Sequence, residues 1–85
     1  MRVVFMGNPD FAIPTLKTIN NSNHELVAVV SNPPKKMGRG KIASYTPVGQ
    51  FSKDNDILLL EPESLKSDKL NNALIVLKPD IFVIV

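Results

Sequence analysis

Four short apolar runs recur along the chain, separated by segments that are long enough to hold helices. The runs contain no polar residue, a pattern typical of strands that are buried on both faces of a parallel sheet. They occupy Val3–Met6, Leu26–Val30, Ile57–Leu60 and Ile81–Val85. With a crossover helix between successive strands, the pattern predicts an α/β fold with an open parallel sheet and the element order β-α-β-α-β-α-β.

Each connecting segment contains a residue whose side-chain oxygen can cap a helix by accepting a backbone hydrogen bond. These predicted N-caps are Asn8, Thr46 and Ser67, and the first two are followed directly by a proline. The third helix is predicted from about residue 68 to residue 77, because apolar residues recur there at helical spacing. Its apolar face consists of Leu70, Ala73, Leu74 and Leu77.

The run Ile81–Val85 is the most apolar of the four, and its composition predicts a central strand. No turn, cap or polar residue follows it in the sequence. Ligands of open α/β sheets bind just beyond the carboxyl ends of the strands, so a site-forming loop is expected at this position. We therefore expect residues 1–85 to be the front portion of a larger domain, with a sheet that is incomplete at the C-terminus.

Composition narrows the classes of site that the chain can carry. It has ten Lys/Arg, eight Asp/Glu, one histidine and no cysteine. The lack of cysteine excludes a disulfide scaffold, a thiolate zinc site and a thiol nucleophile. We expect His24 to be a turn residue and no metal to be bound. The acidic residues around the third strand are expected to form a solvated edge; they are Asp54, Asp56, Glu61 and Glu63.

No segment has the length needed to cross a membrane. The longest apolar run has five residues, Ile81–Val85, whereas a membrane-spanning helix needs about 20. The amino terminus lacks the apolar region and small-residue cleavage site of a signal peptide. The sequence therefore predicts a cytoplasmic protein with no membrane partner.

A basic connector is the first candidate for function. Residues 26–53 contain no Asp or Glu, and Asn32–Lys41 holds four cations, two prolines and two glycines. This connector is long for a parallel sheet, and long loops are commonly functional or disordered. Its cations suit a nucleic-acid backbone, although charge alone equally favours a solvated loop without a partner. The candidate binding residues are Lys35, Lys36, Arg39 and Lys41.

The turn that follows the first strand is the second candidate. It comprises Gly7, Asn8, Pro9, Asp10 and Phe11. Dinucleotide-binding proteins hold a pyrophosphate at this position, but the turn has one glycine and lacks the G-x-G-x-x-G pattern. No acidic residue follows the second strand to bind a ribose. Dinucleotide binding is therefore disfavoured. Phe11 is expected in the core, with pocket lining as the alternative.

Five segments in this order resemble the amino-terminal part of the methionyl-tRNA formyltransferases, and the resemblance covers nearly the whole chain. The segments are RVVFMGNPDF at 2–11, HELVAVV at 24–30, GRGK at 38–41, TPV at 46–48 and KPDIFVIV at 78–85. The Gly-Arg-Gly-Lys segment separates these enzymes from other formyltransferases of similar fold. The resemblance implies a Rossmann-like catalytic domain, followed in the full-length protein by a small β-barrel domain that this chain lacks.

The resemblance also implies an activity. The full-length enzyme would pass a formyl group from 10-formyltetrahydrofolate to the amino group of methionyl-initiator tRNA in translation initiation, and would be a monomer. Arg39 would be a central tRNA contact, with Lys41 contributing less, and the turn from Gly7 to Phe11 would lie near the methionyl end. The family's catalytic Asn, His and Asp and its main folate-binding segment follow the fourth strand. We therefore expect no catalytic residue in residues 1–85 and no activity from them alone.

Three departures from the family pattern are present. Asn8 replaces a threonine, Gly49 stands where a lysine is common, and Pro34–Lys36 replaces an Asp-Arg-Pro stretch. Two other functions remain open. One is a folate-dependent formyltransferase that acts on a nucleotide sugar and does not need the loop at 38–41. The other is a non-catalytic nucleotide- or RNA-binding module.

Overall fold

A computed structural model describes residues 1–37 and 42–85, with side chains described outside 35–43. The described residues form six strands: β1 (Arg2–Met6), β2 (Glu25–Val30), β3 (Lys35–Met37), β4 (Ile42–Ser44), β5 (Leu59–Leu60) and β6 (Ile81–Ile84). Three α-helices connect them: α1 (Ile13–Asn20), α2 (Pro47–Asp54) and α3 (Asp68–Leu77). A short 3-10 turn, Asp10–Ala12, precedes α1.

Four strands form one parallel sheet in the order β5-β2-β1-β6. In this sheet Phe5 lies opposite Val29 on one side and Val83 on the other. The predicted α/β architecture is therefore confirmed, with every predicted strand present and each crossover containing a helix. The third strand is shorter than predicted, because only Leu59 and Leu60 pair with β2.

The core consists of two layers, one on each face of the sheet. Successive side chains of a strand point to opposite faces, so Phe5 packs with Leu16 of α1 and Val48 of α2, whereas Val4 packs with Leu70 of α3. Helices α1 and α2 thus cover one face of the sheet and α3 covers the other.

The connector between β2 and α2 contains an antiparallel hairpin that the sequence did not predict. Strand β3 pairs with β4 in a register that places Lys35 opposite Ser44 and Met37 opposite Ile42. These strands have three residues each and no alternation of apolar and polar side chains. Strands this short carry too few residues for a periodic pattern, so the sequence does not reveal them.

Two of the three predicted helix caps are confirmed. The Thr46 hydroxyl accepts a hydrogen bond from the Gly49 amide, and the Ser67 hydroxyl accepts one from the Leu70 amide. The Asn8 cap is wrong. Helix α1 begins at Ile13, and no side chain caps either it or the preceding 3-10 turn.

One prediction of burial is also wrong. Phe11 is 71% exposed, because Ala12 takes the core-facing position of the 3-10 turn. Strand β6 was expected at the centre of the sheet of a larger domain; among the described strands it pairs with β1 alone and so forms an edge, and its central position stays a prediction. At this edge, Phe82 is 44% exposed and Ile84 is 74% exposed.

Candidate functional site

A cleft of about 320 Å³ opens at the carboxyl ends of the parallel strands. Its walls come from the ends of β1, β2 and β6 and from the loop that follows β5. The polar residues that line it are Asn8, Ser31, Asn32, Glu63 and Ser64. This is the position at which open α/β sheets bind ligands, so the cleft is the candidate functional site.

Gly7 allows the ends of β1 and β6 to approach each other beneath the cleft. A Cβ atom at this position would lie 3.1 Å from Cε1 of Phe5 and 3.4 Å from the Val85 carbonyl oxygen. The Gly7 amide also donates a hydrogen bond to the Val30 carbonyl, at 3.1 Å. Gly7, a predicted pocket residue, therefore contributes through its lack of a side chain, because a Cβ atom would press on the Phe5 ring.

The side chain of Asn8 is held by two hydrogen bonds to its amide oxygen. Its Oδ1 accepts hydrogen bonds from the Asn32 amide, at 2.7 Å, and from the Ser31 hydroxyl, at 3.1 Å. Both donors need an acceptor, so the orientation of the Asn8 amide is determined. Among the described residues no hydrogen bond uses its Nδ2, and Asn8 lines the cleft.

A part-buried pair of hydroxyls extends this network from the cleft to α2. The hydroxyls of Ser31 and Thr46 are hydrogen-bonded to each other. Ser31 lies directly after β2 and is 4% exposed. Thr46 is also the N-cap of α2, so the network joins the ends of β1 and β2 to the start of α2. Sequence reasoning found the cap but missed Ser31, whose only signal is a small polar residue directly after a buried strand.

The predicted residues of the first turn are not all brought together. Gly7 and Asn8 line the cleft. Pro9 is partly buried, Asp10 and Phe11 are exposed, and none of these three lines the cleft.

Two of the four predicted basic residues belong to the hairpin. Lys35 and Lys36 lie in β3 and pair with Ser44 and Ala43 of β4. Arg39 and Lys41 lie outside the described residues. Asn32, which lines the cleft, leads into β3. Thr46, which follows β4, is hydrogen-bonded to the cleft residue Ser31.

A second cleft, of about 620 Å³, lies between the end of β5 and the start of α3. Glu61 lines it, and its Oε2 atom is buried without a hydrogen-bond partner in the described part of the chain. The expectation that all four acidic residues near β5 are solvated is therefore wrong for Glu61. No sequence signal distinguishes Glu61 from the exposed Glu63.

His24 is an exposed turn residue, and its Nδ1 lies 3.2 Å from the amino-terminal nitrogen. Over residues 1–37 and 42–85, no three His, Asp or Glu side chains are close enough to share a metal ion. None of the helices described for the chain has the length and apolar character to span a membrane.

The model of the formyl transferase family matches residues 1–85, the whole chain. The chain belongs to the formyltransferase family. Curated relatives of this formyltransferase chain include proteins named methionyl-tRNA formyltransferase. The protein from Acetivibrio thermocellus is 41% identical over 83 residues, which is 98% of this chain and 27% of that protein. The protein from Hydrogenovibrio crunogenus is 39% identical over 85 residues, again 27% of its length.

A third relative, from Parvibaculum lavamentivorans, is also named methionyl-tRNA formyltransferase. It is 41% identical over 85 residues, covering 100% of this chain and 27% of that protein. The resemblance noted in the sequence is confirmed by these matches. The formyltransferase chain described here spans roughly a quarter of the length of the curated relatives that it matches.

Proposed function

We propose that this chain is the amino-terminal part of an enzyme that transfers a formyl group from 10-formyltetrahydrofolate to the amino group of methionyl-initiator tRNA. The observation that carries the proposal is the match of the whole chain to relatives that are named methionyl-tRNA formyltransferase. The basic connector Asn32–Lys41 supports it, because Lys35, Lys36, Arg39 and Lys41 supply the cations that an RNA backbone requires.

The proposal also assigns separate roles to residues 1–85 and to the chain that follows them. The cleft offers the amide group of Asn8 and an exposed carboxylate on Glu63, but no paired general base and oxyanion donors. We assign catalysis and the main folate contacts to chain that follows residue 85, along with a C-terminal barrel domain. Residues 1–85 would then supply the tRNA-contacting hairpin and one wall of the site.

Further features of the proposal concern the protein's setting. We propose that the complete enzyme is a cytoplasmic monomer that acts in translation initiation and needs no metal. The turn from Gly7 to Phe11 would lie near the methionyl end of the tRNA. Gly7 and Asn8 would face it from the cleft, and the exposed Phe11 would remain available to the substrate or to later parts of the chain.

A formylation assay tests the proposal directly. The complete protein should transfer a formyl group from 10-formyltetrahydrofolate to methionyl-initiator tRNA, and residues 1–85 alone should not. The matched control replaces the tRNA with an amino sugar nucleotide. Formylation of the sugar nucleotide without formylation of the tRNA would refute the proposal in favour of the sugar-directed enzyme. Folate-independent RNA binding without any transfer would indicate a non-catalytic module.

The role of the hairpin is tested by salt dependence. Arg39→Ala should weaken tRNA binding and lower the slope of log affinity against log salt by about one. Lys69→Ala removes the same charge from α3, which packs on the other face of the sheet from α2, and should leave the slope unchanged. Equal slopes for the wild type and Arg39→Ala would remove Arg39 from the proposed tRNA contacts.

A further inference from the structure

The chain on the two sides of the hairpin is joined by buried and part-buried side chains. Ser31 lies four residues before β3 and Thr46 two residues after β4, and their hydroxyls are hydrogen-bonded. Asn8, at the end of β1, accepts a hydrogen bond from Ser31. We call Asn8, Ser31 and Thr46 the hairpin-base network. Because one network holds the chain on both sides of the hairpin, the hairpin is attached to the sheet at a closed base.

The direction of every hydrogen bond in the hairpin-base network follows from its donors and acceptors. The Gly49 amide donates to Thr46 Oγ1, at 3.0 Å, so the Thr46 hydroxyl proton is free to point to Ser31. The Ser31 hydroxyl in turn donates to Asn8 Oδ1, which can only accept. The Asn32 amide supplies a second donor to the same oxygen. Each hydroxyl therefore both donates and accepts, and the buried Ser31 is fully satisfied.

A backbone contact reinforces the same connection. The Val48 amide, in the first turn of α2, donates to the Asn8 carbonyl oxygen at 3.2 Å. Asn8 is thus bonded both to the residues before the hairpin and to the helix after it, while its side chain lines the cleft. Buried and mutually satisfied polar groups hold one arrangement well, since any other arrangement leaves a group unpaired.

We propose that the hairpin-base network is a positioning device, which sets the orientation of the basic hairpin relative to the strand-end cleft. This inference rests on the proposed function. An RNA held by its phosphates on the hairpin must also bring its aminoacylated end to the cleft. A fixed base aligns the two contacts before binding, so that less ordering is needed when the RNA binds. Ser31 and Thr46 act as positioning residues and contribute no charge of their own.

This role predicts a loss of RNA affinity that differs in kind from the loss of a phosphate contact. In the complete enzyme, Ser31→Ala should raise the KM for methionyl-tRNA about threefold to tenfold, as expected for one hydrogen bond. The kcat per folded enzyme and the slope of log affinity against log salt should not change, because the cations of the hairpin remain. Arg39→Ala should lower that slope.

Ser52→Ala is the matched control. Ser52 is also a buried serine, but its hydroxyl donates to the Val48 carbonyl within α2, at 2.9 Å, and takes no part in the hairpin-base network. Thr46→Ser keeps the hydroxyl and should retain the wild-type KM. Thr46→Val removes it and should raise the KM as Ser31→Ala does, which provides a second variant if Ser31→Ala folds poorly.

The outcomes separate this inference from the proposed function. A wild-type enzyme that neither binds nor formylates tRNA refutes the proposed function. An active wild type in which Ser31→Ala and Thr46→Val match Ser52→Ala in KM refutes the positioning role alone. A raised KM accompanied by a lower salt slope also refutes it, because phosphate contacts would then have been lost. A KM that is raised at constant salt slope in both Ser31→Ala and Thr46→Val, and that keeps its wild-type value in Thr46→Ser and Ser52→Ala, supports it.

Discussion

The middle of the sheet and its β6 edge both contain apolar strands but differ in how completely they are packed. Phe5 on β1 and Val29 on β2 are entirely buried, whereas Phe82 is 44% and Ile84 74% exposed on β6. Helix α3 shows the same contrast between its two faces. Its inner face packs against the core through Leu70, Leu74 and Leu77, whereas Ile75 and Val76 on its outer face are exposed.

The contrast shows that an apolar sequence indicates which strands need to be buried. It does not indicate whether the element that buries them lies within the described residues. Strand β6 pairs with β1 on one side only, which leaves an unprotected edge in the described sheet. Clustered exposed apolar side chains are typical of interfaces. This surface supports the proposal that further formyltransferase chain packs against β6 and α3.

The largest expected effect compares two phenylalanines. In residues 1–85, Phe5→Ala should lower the free energy of unfolding by about 3–5 kcal/mol, because it empties a fully buried site. Phe82→Ala should cost about 1 kcal/mol or less, since its ring already contacts solvent. Urea denaturation of both variants measures the difference. Equal losses would show that β6 is as well packed as β1 and would break the comparison.

Two helix caps provide the next test within the well-packed region. Ser67→Ala should cost about 1 kcal/mol, the usual value of an N-cap. Thr46→Ala should cost about 2 kcal/mol, because it removes both the cap to Gly49 and the hydrogen-bond partner of the buried Ser31. Thermal denaturation of the two variants is the measurement. A Thr46→Ala loss no larger than that of Ser67→Ala would mean that the hydroxyl pair adds no stability.

These results indicate which parts of the fold local sequence determines. The four strands of the parallel sheet and the caps Thr46 and Ser67 were predicted correctly, since apolar runs and capping hydroxyls act over a few neighbouring residues. The Asn8 cap was wrong because a long-range partner competed. Its Oδ1 accepts from Asn32, which is 24 residues away, so it is not available to a helix start.

The candidate site was predictable in location but not in detail. The position of the cleft followed from the ends of parallel strands, and Gly7 and Asn8 were identified as part of it. The pairing of Ser31 with Thr46 joins residues on either side of the hairpin, and no local pattern encodes such a contact. The buried oxygen of Glu61 was missed for a related reason, because the cleft that Glu61 lines is formed in part by the distant residues Leu70 and Ala73 of α3.

The side chain of Arg2 connects the well-packed middle of the sheet to the end of α3, and variants of Arg2 test this connection. Its Nε donates to the Leu77 carbonyl at 2.8 Å, and its Nη1 contacts Glu25 Oε2 at 2.8 Å, so it joins β1 to the end of α3 and to β2. Arg2→Met should cost about 1 kcal/mol, mostly through the part-buried bond to the carbonyl. Glu25→Gln removes only an exposed ion pair and should cost about 0.5 kcal/mol or less.

Salt separates the two contributions of Arg2. In 1 M salt the Debye length falls to about 3 Å, so the effect of Glu25→Gln should vanish while that of Arg2→Met persists. Thermal denaturation at low and high salt measures both. An Arg2→Met loss that also vanishes in salt would show that the ion pair, and not the bond to α3, is the connection.

The smallest effect on stability is expected at the exposed edge itself. In residues 1–85, Ile84→Lys should change the free energy of unfolding by about 0.5 kcal/mol or less, while raising solubility, since charged side chains oppose edge-to-edge association. Val83→Lys is the matched control. Val83 packs against the core that contains Phe5, so a lysine side chain at position 83 would have to move out of that core.

In a longer protein the difference between the Ile84→Lys and Val83→Lys variants should become smaller. If further chain covers β6, Ile84→Lys lowers the free energy of unfolding of that protein while remaining neutral in residues 1–85. A neutral Ile84→Lys in both would leave the edge exposed in the complete enzyme and remove the packing argument for a continued sheet.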